Sequence, residues 1–149
     1  MRRVAPYILT LLLGVLIGGF LFSRSIERSF FAVQSCDEDC LQLKDLAGLL
    51  GSVGIQHAPT LLPFYEAQSK ECVAVRHPKP EGRFHLVFLP KRDVRNVLEL
   101  TTEDIPFLVG CLALAREQVA KAGVRNYRFV TNGPELQHVT YFHFHVIAK

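Results

Sequence analysis

The chain has 149 residues, which is enough for one domain and additional segments. Its formal net charge of +3 arises in residues 1–35, which hold four of the 17 basic side chains and one of the 14 acidic ones. Subtraction leaves 13 of each sign in the rest of the chain, which is therefore neutral. A neutral globular part offers no basic surface for duplex nucleic acid, so we expect no nucleic-acid partner.

An uncharged apolar run occupies residues 4–23 and has two arginines on each side. As a helix at about 1.5 Å per residue it would be about 30 Å long, the thickness of the hydrocarbon core of a bilayer. The run predicts a single transmembrane helix. A cleaved signal peptide is the alternative, because Ser23-Arg24-Ser25 has the small–x–small pattern of a cleavage site. The nearly balanced flanking arginines slightly favour a cytoplasmic N-terminus and leave the side of the domain open.

Three segments follow from these patterns. Residues 1–35 are interpreted as a transmembrane anchor with its juxtamembrane segment, residues 36–59 as a helical connector, and residues 60–149 as the globular domain. The connector carries a helical stripe of leucines that we expect to end at two glycines: Leu43, Leu46, Leu49 and Leu50, then Gly51 and Gly54.

Two kinds of cysteine are expected. Cys36 and Cys40 would lie on adjacent helical turns, where they could form a disulfide in an oxidising compartment or half of a metal site. Cys72 and Cys111 are interpreted as small buried residues.

The globular part alternates strand patterns with one long helix. The helix begins at Thr101 and Asp104, which form a capping-box pattern, and ends at Gly123. Its expected buried stripe is Ile105, Leu108, Val109, Leu112, Ala115 and Val119. Strands are predicted over residues 61–66, 71–76, 84–89, 127–131 and 139–149. This order predicts an α+β domain, an antiparallel sheet with the long helix packed on it, preceded by a single transmembrane helix.

The last strand carries the polar side chains that call for an explanation. Alternation along a strand from residue 139 places Val139, Tyr141, His143 and His145 on one face, and Thr140, Phe142, Phe144 and Val146 on the other. The second face is apolar and is expected in the core. The first face has three interpretations: a solvated strand face, a metal site built from histidines, or a nucleophilic histidine.

A sequence motif helps to choose among these three interpretations. Residues 137–145 resemble the signature of the histidine-triad family, in which Gln, a spacer, Val and a spacer precede His-φ-His-φ-His. The match includes Gln137, Val139, His143 and His145, and it departs at the first triad position, where this chain has Tyr141. The strand from His85 to Lys91, the strand at Cys72 and the strand ending at Asn132 are also similar to the family, so the resemblance spans about residues 60–149.

The resemblance implies a histidine-triad fold and a nucleotide hydrolase or nucleotidyl transferase. His143 would be the nucleophile that forms a nucleotidyl-histidine intermediate, and His145 would contact the phosphate or the leaving group. Four further residues would contact the substrate: Asn132, Gln137, His138 and Tyr141. The implied partner is a purine nucleotide or nucleotide conjugate, with no cofactor and no metal, and a homodimer is possible.

Two alternatives stay open because of Tyr141, since a phenol cannot carry a proton as an imidazole does. One is a membrane-tethered module that binds a nucleotide without turning it over. The other is a metal-binding module built from His138, His143 and His145. We predict a single-pass membrane protein that is located in the bacterial inner membrane. Phosphoramidates, dinucleoside polyphosphates and nucleotidyl adducts are equally compatible substrates.

Overall fold

The computed structural model of the protein describes residues 4–26 and 42–149. The predicted disulfide or metal half-site at Cys36 and Cys40 lies outside these residues. The helices are α1 (Ala5–Phe22), α2 (Leu43–His57) and α3 (Ile105–Lys121). The strands are β1 (Tyr65–Gln68), β2 (Cys72–Arg76), β3 (Phe84–Pro90), β4 (Arg128–Val130) and β5 (Phe144–Ala148).

The five strands form one antiparallel sheet in the order β1-β2-β3-β5-β4, which confirms the predicted α+β architecture. The central pair is β3 with β5, where Phe88 lies opposite Phe144 and Val87 opposite His145. Both strands alternate side chains between the two faces of the sheet, so this register fixes which residues each face presents.

Each face of the sheet is covered by a different helix. The side chains of Phe88, Phe144 and Val146 form the main core with Cys111 and Leu114 of α3. On the opposite face, a smaller cluster brings together Ile55 of α2, Val73 of β2 and Tyr141. The sheet therefore has one closed face under α3 and one face that α2 covers only in part.

The start of α3 confirms the predicted capping box. Thr101 and Asp104 satisfy each other's backbone N–H groups around a 3₁₀ turn that leads into the helix. The predicted buried stripe was wrong in part, because Ile105, Val109 and Leu112 are exposed. The helix is rotated so that its small and polar side chains, among them Cys111 and Gln118, face the sheet.

Three predicted boundaries were also wrong. Helix α2 passes through both glycines and ends at His57, and only Leu49 of its leucine stripe is buried. The two glycines do not end the helix, because neither adopts the positive φ of a helix C-cap. Close packing is found at an earlier glycine, since a Cβ at Gly48 would lie 2.4 Å from the carbonyl oxygen of Thr140. The first strand begins at Tyr65, because residues 59–64 form a 3₁₀ turn and a bend instead.

The third wrong boundary is the start of the terminal strand, because β5 begins at Phe144 and not at residue 139. Residues 139–143 leave the sheet to make other backbone hydrogen bonds. Thr140 N donates to the carbonyl of Lys44 in α2, and Phe142 N donates to the carbonyl of Val94.

The interpretation of Cys72 and Cys111 as separate buried residues was incomplete. Both side chains are fully buried, as expected, but they form a disulfide that joins β2 to α3. The two residues are 39 positions apart, and this spacing does not indicate a disulfide. The disulfide fixes the long helix onto the sheet beneath the main core.

Helix α1 is long and apolar enough to cross a membrane, and none of its residues is buried. Its end contacts the domain at three points. The Phe20 and His57 rings lie 5.1 Å apart, the Ser25 and Ser52 hydroxyls are 3.4 Å apart, and Ile26 N donates to an Asp93 carboxylate oxygen at 3.0 Å. The membrane anchor and the division into residues 1–35, 36–59 and 60–149 stay predictions.

Removing the disulfide should destabilise the domain strongly. The closed loop of about 40 residues corresponds to about 4 kcal/mol of loop entropy in the unfolded chain. We expect the Cys72→Ala/Cys111→Ala variant of the full chain, in detergent micelles, to lose stability of this order in urea unfolding followed by circular dichroism. The Cys36→Ala/Cys40→Ala variant removes the same number of thiols and should change stability less. Equal losses in the two variants would contradict the structural role of the Cys72–Cys111 bond.

Candidate active site

A cavity of about 750 Å³ opens on the face of the sheet that α2 covers in part. Its walls are mainly apolar and come from α2, the loop after it, and the outward side chains of β2, β3 and β5. The polar side chains of its lining include His77, Glu81, His85, Asn132, His138, His143 and His145. A large apolar pocket with a few converging polar groups is the usual form of a small-molecule site.

The ring of His143 is held in one orientation by the backbone. Its Nδ1 lies 2.7 Å from the carbonyl oxygen of Tyr141. A carbonyl can only accept, so Nδ1 carries the proton and donates it, which leaves the lone pair of Nε2 free. The backbone at His143 is itself fixed, because Thr131 Oγ1 donates to the His143 carbonyl at 2.9 Å. The result is an oriented, neutral imidazole with one nucleophilic nitrogen.

His145 is oriented by a second histidine. Glu81 N donates to Nδ1 of His85 at 3.1 Å, so the proton of a neutral His85 is on Nε2. That Nε2 lies 3.0 Å from Nδ1 of His145 and donates to it. The proton of His145 is therefore on its own Nε2, a buried atom that has no hydrogen-bond partner among the described residues. An oxygen of a bound phosphate would satisfy this donor.

Burial keeps these imidazoles neutral. It lowers the pKa of His145 to about 4, and the nearby His143 and His85 act in the same direction. Burial also lowers the pKa of His143, against the opposing effect of its hydrogen bond to the Tyr141 carbonyl. The pKa of His85 is lowered by burial and by His77. Neutral rings at pH 7 have the donor and acceptor nitrogens that the hydrogen bonds require.

The other residues expected to contact substrate fall into two groups. Asn132 and His138 line the cavity. Gln137 is buried outside the cavity lining, and its side-chain nitrogen has no partner among the described residues. A contact between Gln137 and a ligand would therefore need a change of its rotamer, and its role stays a prediction.

Comparison with known proteins shows the family of this chain. Residues 56–149 match the family model described as "Scavenger mRNA decapping enzyme C-term binding". An uncharacterised HIT-like protein of Synechococcus elongatus is 30% identical over 76 residues, which is 50% of this chain and 67% of the relative. The chain belongs to the histidine-triad (HIT) family.

Solved structures of HIT proteins share the fold. A HIT family hydrolase from Legionella pneumophila matches with a TM-score of 0.57 and 23% identity, over 62% of this chain and 88% of that one. A HIT family hydrolase from Clostridium thermocellum matches with a TM-score of 0.55 and 22% identity, over 59% of this chain and 81% of that one.

The departure from the histidine triad, Tyr141, has a structural explanation. Its side chain is fully buried, and its hydroxyl donates to the Pro90 carbonyl at 2.5 Å, with the Arg92 carbonyl at 3.2 Å. The hydroxyl thus ties the segment before His143 to the end of β3. The atom that orients His143 is the backbone carbonyl of residue 141, which any residue supplies. Tyr141 is also among the residues that line the cavity, and its predicted contact with substrate stays a prediction.

The histidines that approach one another most closely are not the predicted metal set. Among the described residues, the group whose nitrogens could share an ion is His77, His85 and His145, with ligand atoms within 4.8 Å. The rings of His77 and His85 are stacked at 4.2 Å and 5°. Lone pairs lie in the plane of an imidazole ring, so two parallel rings cannot direct them at one ion without rotating.

Sequence reasoning missed three members of this HIT site: His77, His85 and Glu81. A signal for His85 was present, because His85, Val87 and Leu89 alternate on the strand that pairs with the His145 strand. His77 and Glu81 come from the loop between β2 and β3, and no periodic pattern indicates where a loop side chain lies.

The lowered histidine pKa values predict a pH-dependent stability. A histidine whose folded pKa is below its unfolded value, near 6.5, stabilises the fold above that pH and loses the effect as pH falls through the folded pKa. We expect the unfolding midpoint of the full chain to decline between pH about 6.5 and about 4. In NMR titrations His145 should change state near pH 4, and the same residue in concentrated urea near its ordinary pKa. Titration of folded His145 at its ordinary pKa would remove the argument for the neutral tautomers.

Replacing Tyr141 with phenylalanine tests its structural role. The change leaves the buried Pro90 carbonyl without its donor, at a cost of about 1–3 kcal/mol in the free energy of unfolding. Turnover per folded molecule should be nearly unchanged, because the ring and the residue-141 carbonyl remain. Tyr127→Phe is the matched control, since Tyr127 is exposed and its loss should have little effect. A large loss of turnover at full stability would instead give the hydroxyl a part in catalysis.

Proposed function

We propose that this HIT protein is a membrane-anchored nucleotide hydrolase or nucleotidyl transferase that acts through a nucleotidyl-His143 intermediate. The single observation that supports it most is the hydrogen bond from His143 Nδ1 to the Tyr141 carbonyl, because it leaves a free lone pair on Nε2 of a neutral ring beside His145. The HIT family hydrolases with which it shares its fold support the reaction class.

The first step is attack on the α-phosphorus of the nucleotide. The bond between His143 Nε2 and phosphorus forms while the bond from phosphorus to the leaving group breaks; a leaving amine takes up one proton from solvent, and a leaving phosphate departs as the anion. His145 Nε2–H would donate to a phosphate oxygen, where negative charge builds up. Water then attacks phosphorus, the bond between phosphorus and His143 Nε2 breaks, the oxygen of the water joins the nucleoside monophosphate, and the two protons of the water pass to solvent.

The cavity offers hydrogen bonds and no positive charge to a phosphate, and Glu81 is the acidic side chain among its described lining residues. None of the described residues that line it is Lys or Arg, so a bound phosphate would be held by N–H groups of imidazole and amide side chains. Asn132, which lines the cavity, would supply one such amide, and the apolar walls would hold the purine base of a nucleotide or nucleotide conjugate. This scheme uses no metal and no cofactor.

Helix α1 is the proposed anchor. Its 18 residues carry no charge and are all unburied, which a bilayer would explain better than water does. The Cys72–Cys111 disulfide supports an orientation with the domain outside the cytoplasm, because buried disulfides form in oxidising compartments. The nearly balanced arginines favour the same orientation.

The second candidate is a module that binds nucleotide without turnover. The observation that favours it is the Tyr141 side chain, which leaves the cavity without the first histidine of the triad. The two candidates share the binding site and differ only in whether the His143 Nε2 attack takes place.

Turnover of adenosine 5′-phosphoramidate separates the two. We expect the full chain in detergent to release AMP, and His143→Ala to lower kcat by about a thousand-fold or more, while AMP still raises the Tm of the variant. Brief reaction and acid-free quenching should give wild-type protein one nucleotidyl mass heavier, and this adduct should be absent from the variant.

The control is His57→Ala, which removes a histidine outside the cavity lining and should leave turnover unchanged. Equal turnover in wild type and His143→Ala would remove the assignment of the nucleophile. Stabilisation by AMP with no turnover in wild type would establish the binding module instead.

A further inference from the structure

The loop that joins α2 to β1, residues 58–64, forms one edge of the cavity and is called the lip here. Leu62 and Pro63 of the lip line the cavity. The lip is attached firmly to α2, since a Cβ at Gly54 would come within 3.1 Å of the Leu62 side chain. Two large apolar side chains point away from the domain, because Leu61 is 83% exposed and Phe64 is 59% exposed.

Helices α1 and α2 run antiparallel where they touch. Phe20 contacts His57, and five residues later Ser25 lies against Ser52, five residues earlier in α2. Phe20 is four residues before Arg24, the first charge after the apolar run, and therefore about 6 Å deeper along the helix. The C-terminal end of α2 is level with that deeper position, and the lip follows directly after it.

The lip and the part of α2 that precedes it have the composition of an apolar surface. Residues 46–65 contain no Asp, Glu, Lys or Arg. Phe64 also has a φ of 60°, in the left-handed region that a bulky residue rarely adopts. Strain of this kind persists where the surrounding structure enforces it and is found at functional positions. Here it holds an aromatic ring at the outer surface of the lip.

We propose that the lip is a membrane-contacting surface, in which Leu61 and Phe64 enter the lipid interface beside α1. The partner is the lipid surface itself, because the contact of Phe20 with His57 brings the end of α2, which the lip directly follows, to the level of the apolar run. Burial of exposed apolar and aromatic groups at the headgroup boundary is favourable, and no charge of residues 46–65 opposes it. The edge of the cavity formed by Leu62 and Pro63 would then meet the bilayer surface. This inference rests on the proposed anchor.

Tryptophan fluorescence can test the proposal, because the chain contains no tryptophan. Leu61→Trp and Phe64→Trp would report on the lip in the full chain, reconstituted in phosphatidylcholine vesicles with brominated acyl chains. Leu43→Trp is the matched control. Leu43 is 81% exposed, but it begins α2 and lies about 21 Å from the end that approaches the lip. Leu12→Trp, in the middle of α1, reports on the anchor.

We expect bromine quenching of the two lip variants to be several-fold stronger than that of Leu43→Trp, with emission at shorter wavelength. Strong quenching of Leu12→Trp together with lip variants no more quenched than Leu43→Trp would overturn the proposal and leave the anchor intact. Absence of quenching at Leu12→Trp would overturn the anchor and the lip contact together. Leu61 is exposed, so its replacement should not disturb folding, and circular dichroism of each variant verifies this.

Discussion

The pairing of β3 with β5 is the constraint on which the rest of the structure depends. Because neighbouring side chains on a strand alternate, one register places Phe88, Phe144 and Val146 beneath α3. The same register places His85 and His145 on the other face, near enough for their rings to share a proton. A slip by one residue would exchange these sets, burying the imidazoles in the main core and exposing the aromatic rings.

The site is built from a sequence of hydrogen bonds that each fix the next group. The Glu81 N–H determines the proton position on His85, His85 determines it on His145, and the Tyr141 carbonyl determines it on His143. Two of these three controlling groups are backbone atoms. Such a site depends on the path of the chain more than on neighbouring side chains, which explains why burial can lower the histidine pKa values without disturbing the arrangement.

Much of the fold could be predicted because its signals are local. Alternation predicted β2, β3 and the β5 face, and the Thr101–Asp104 box located the start of α3. The contacts between distant segments could not be predicted. The Cys72–Cys111 bond, the close approach of Gly48 to Thr140 and the start of β5 at Phe144 all depend on which elements meet in space. The same holds for the cavity lining, which includes the predicted His138, His143 and His145 and also two loop residues, His77 and Glu81, that the sequence did not indicate.

The tyrosine at the first triad position changes what that position can do. In a triad the first histidine is a polar group near the nucleophile, but here the orientation of His143 is supplied by the carbonyl of residue 141. The side chain is left with a packing task, and a phenol suits it, because its ring fills the cluster with Ile55 and Val73 while its hydroxyl reaches the end of β3. What the exchange removes is a group that can hold a proton near neutral pH. In the proposed reaction, His143 would therefore be left to attack, and His145, ordered by its hydrogen bond with His85, would be the donor to phosphate.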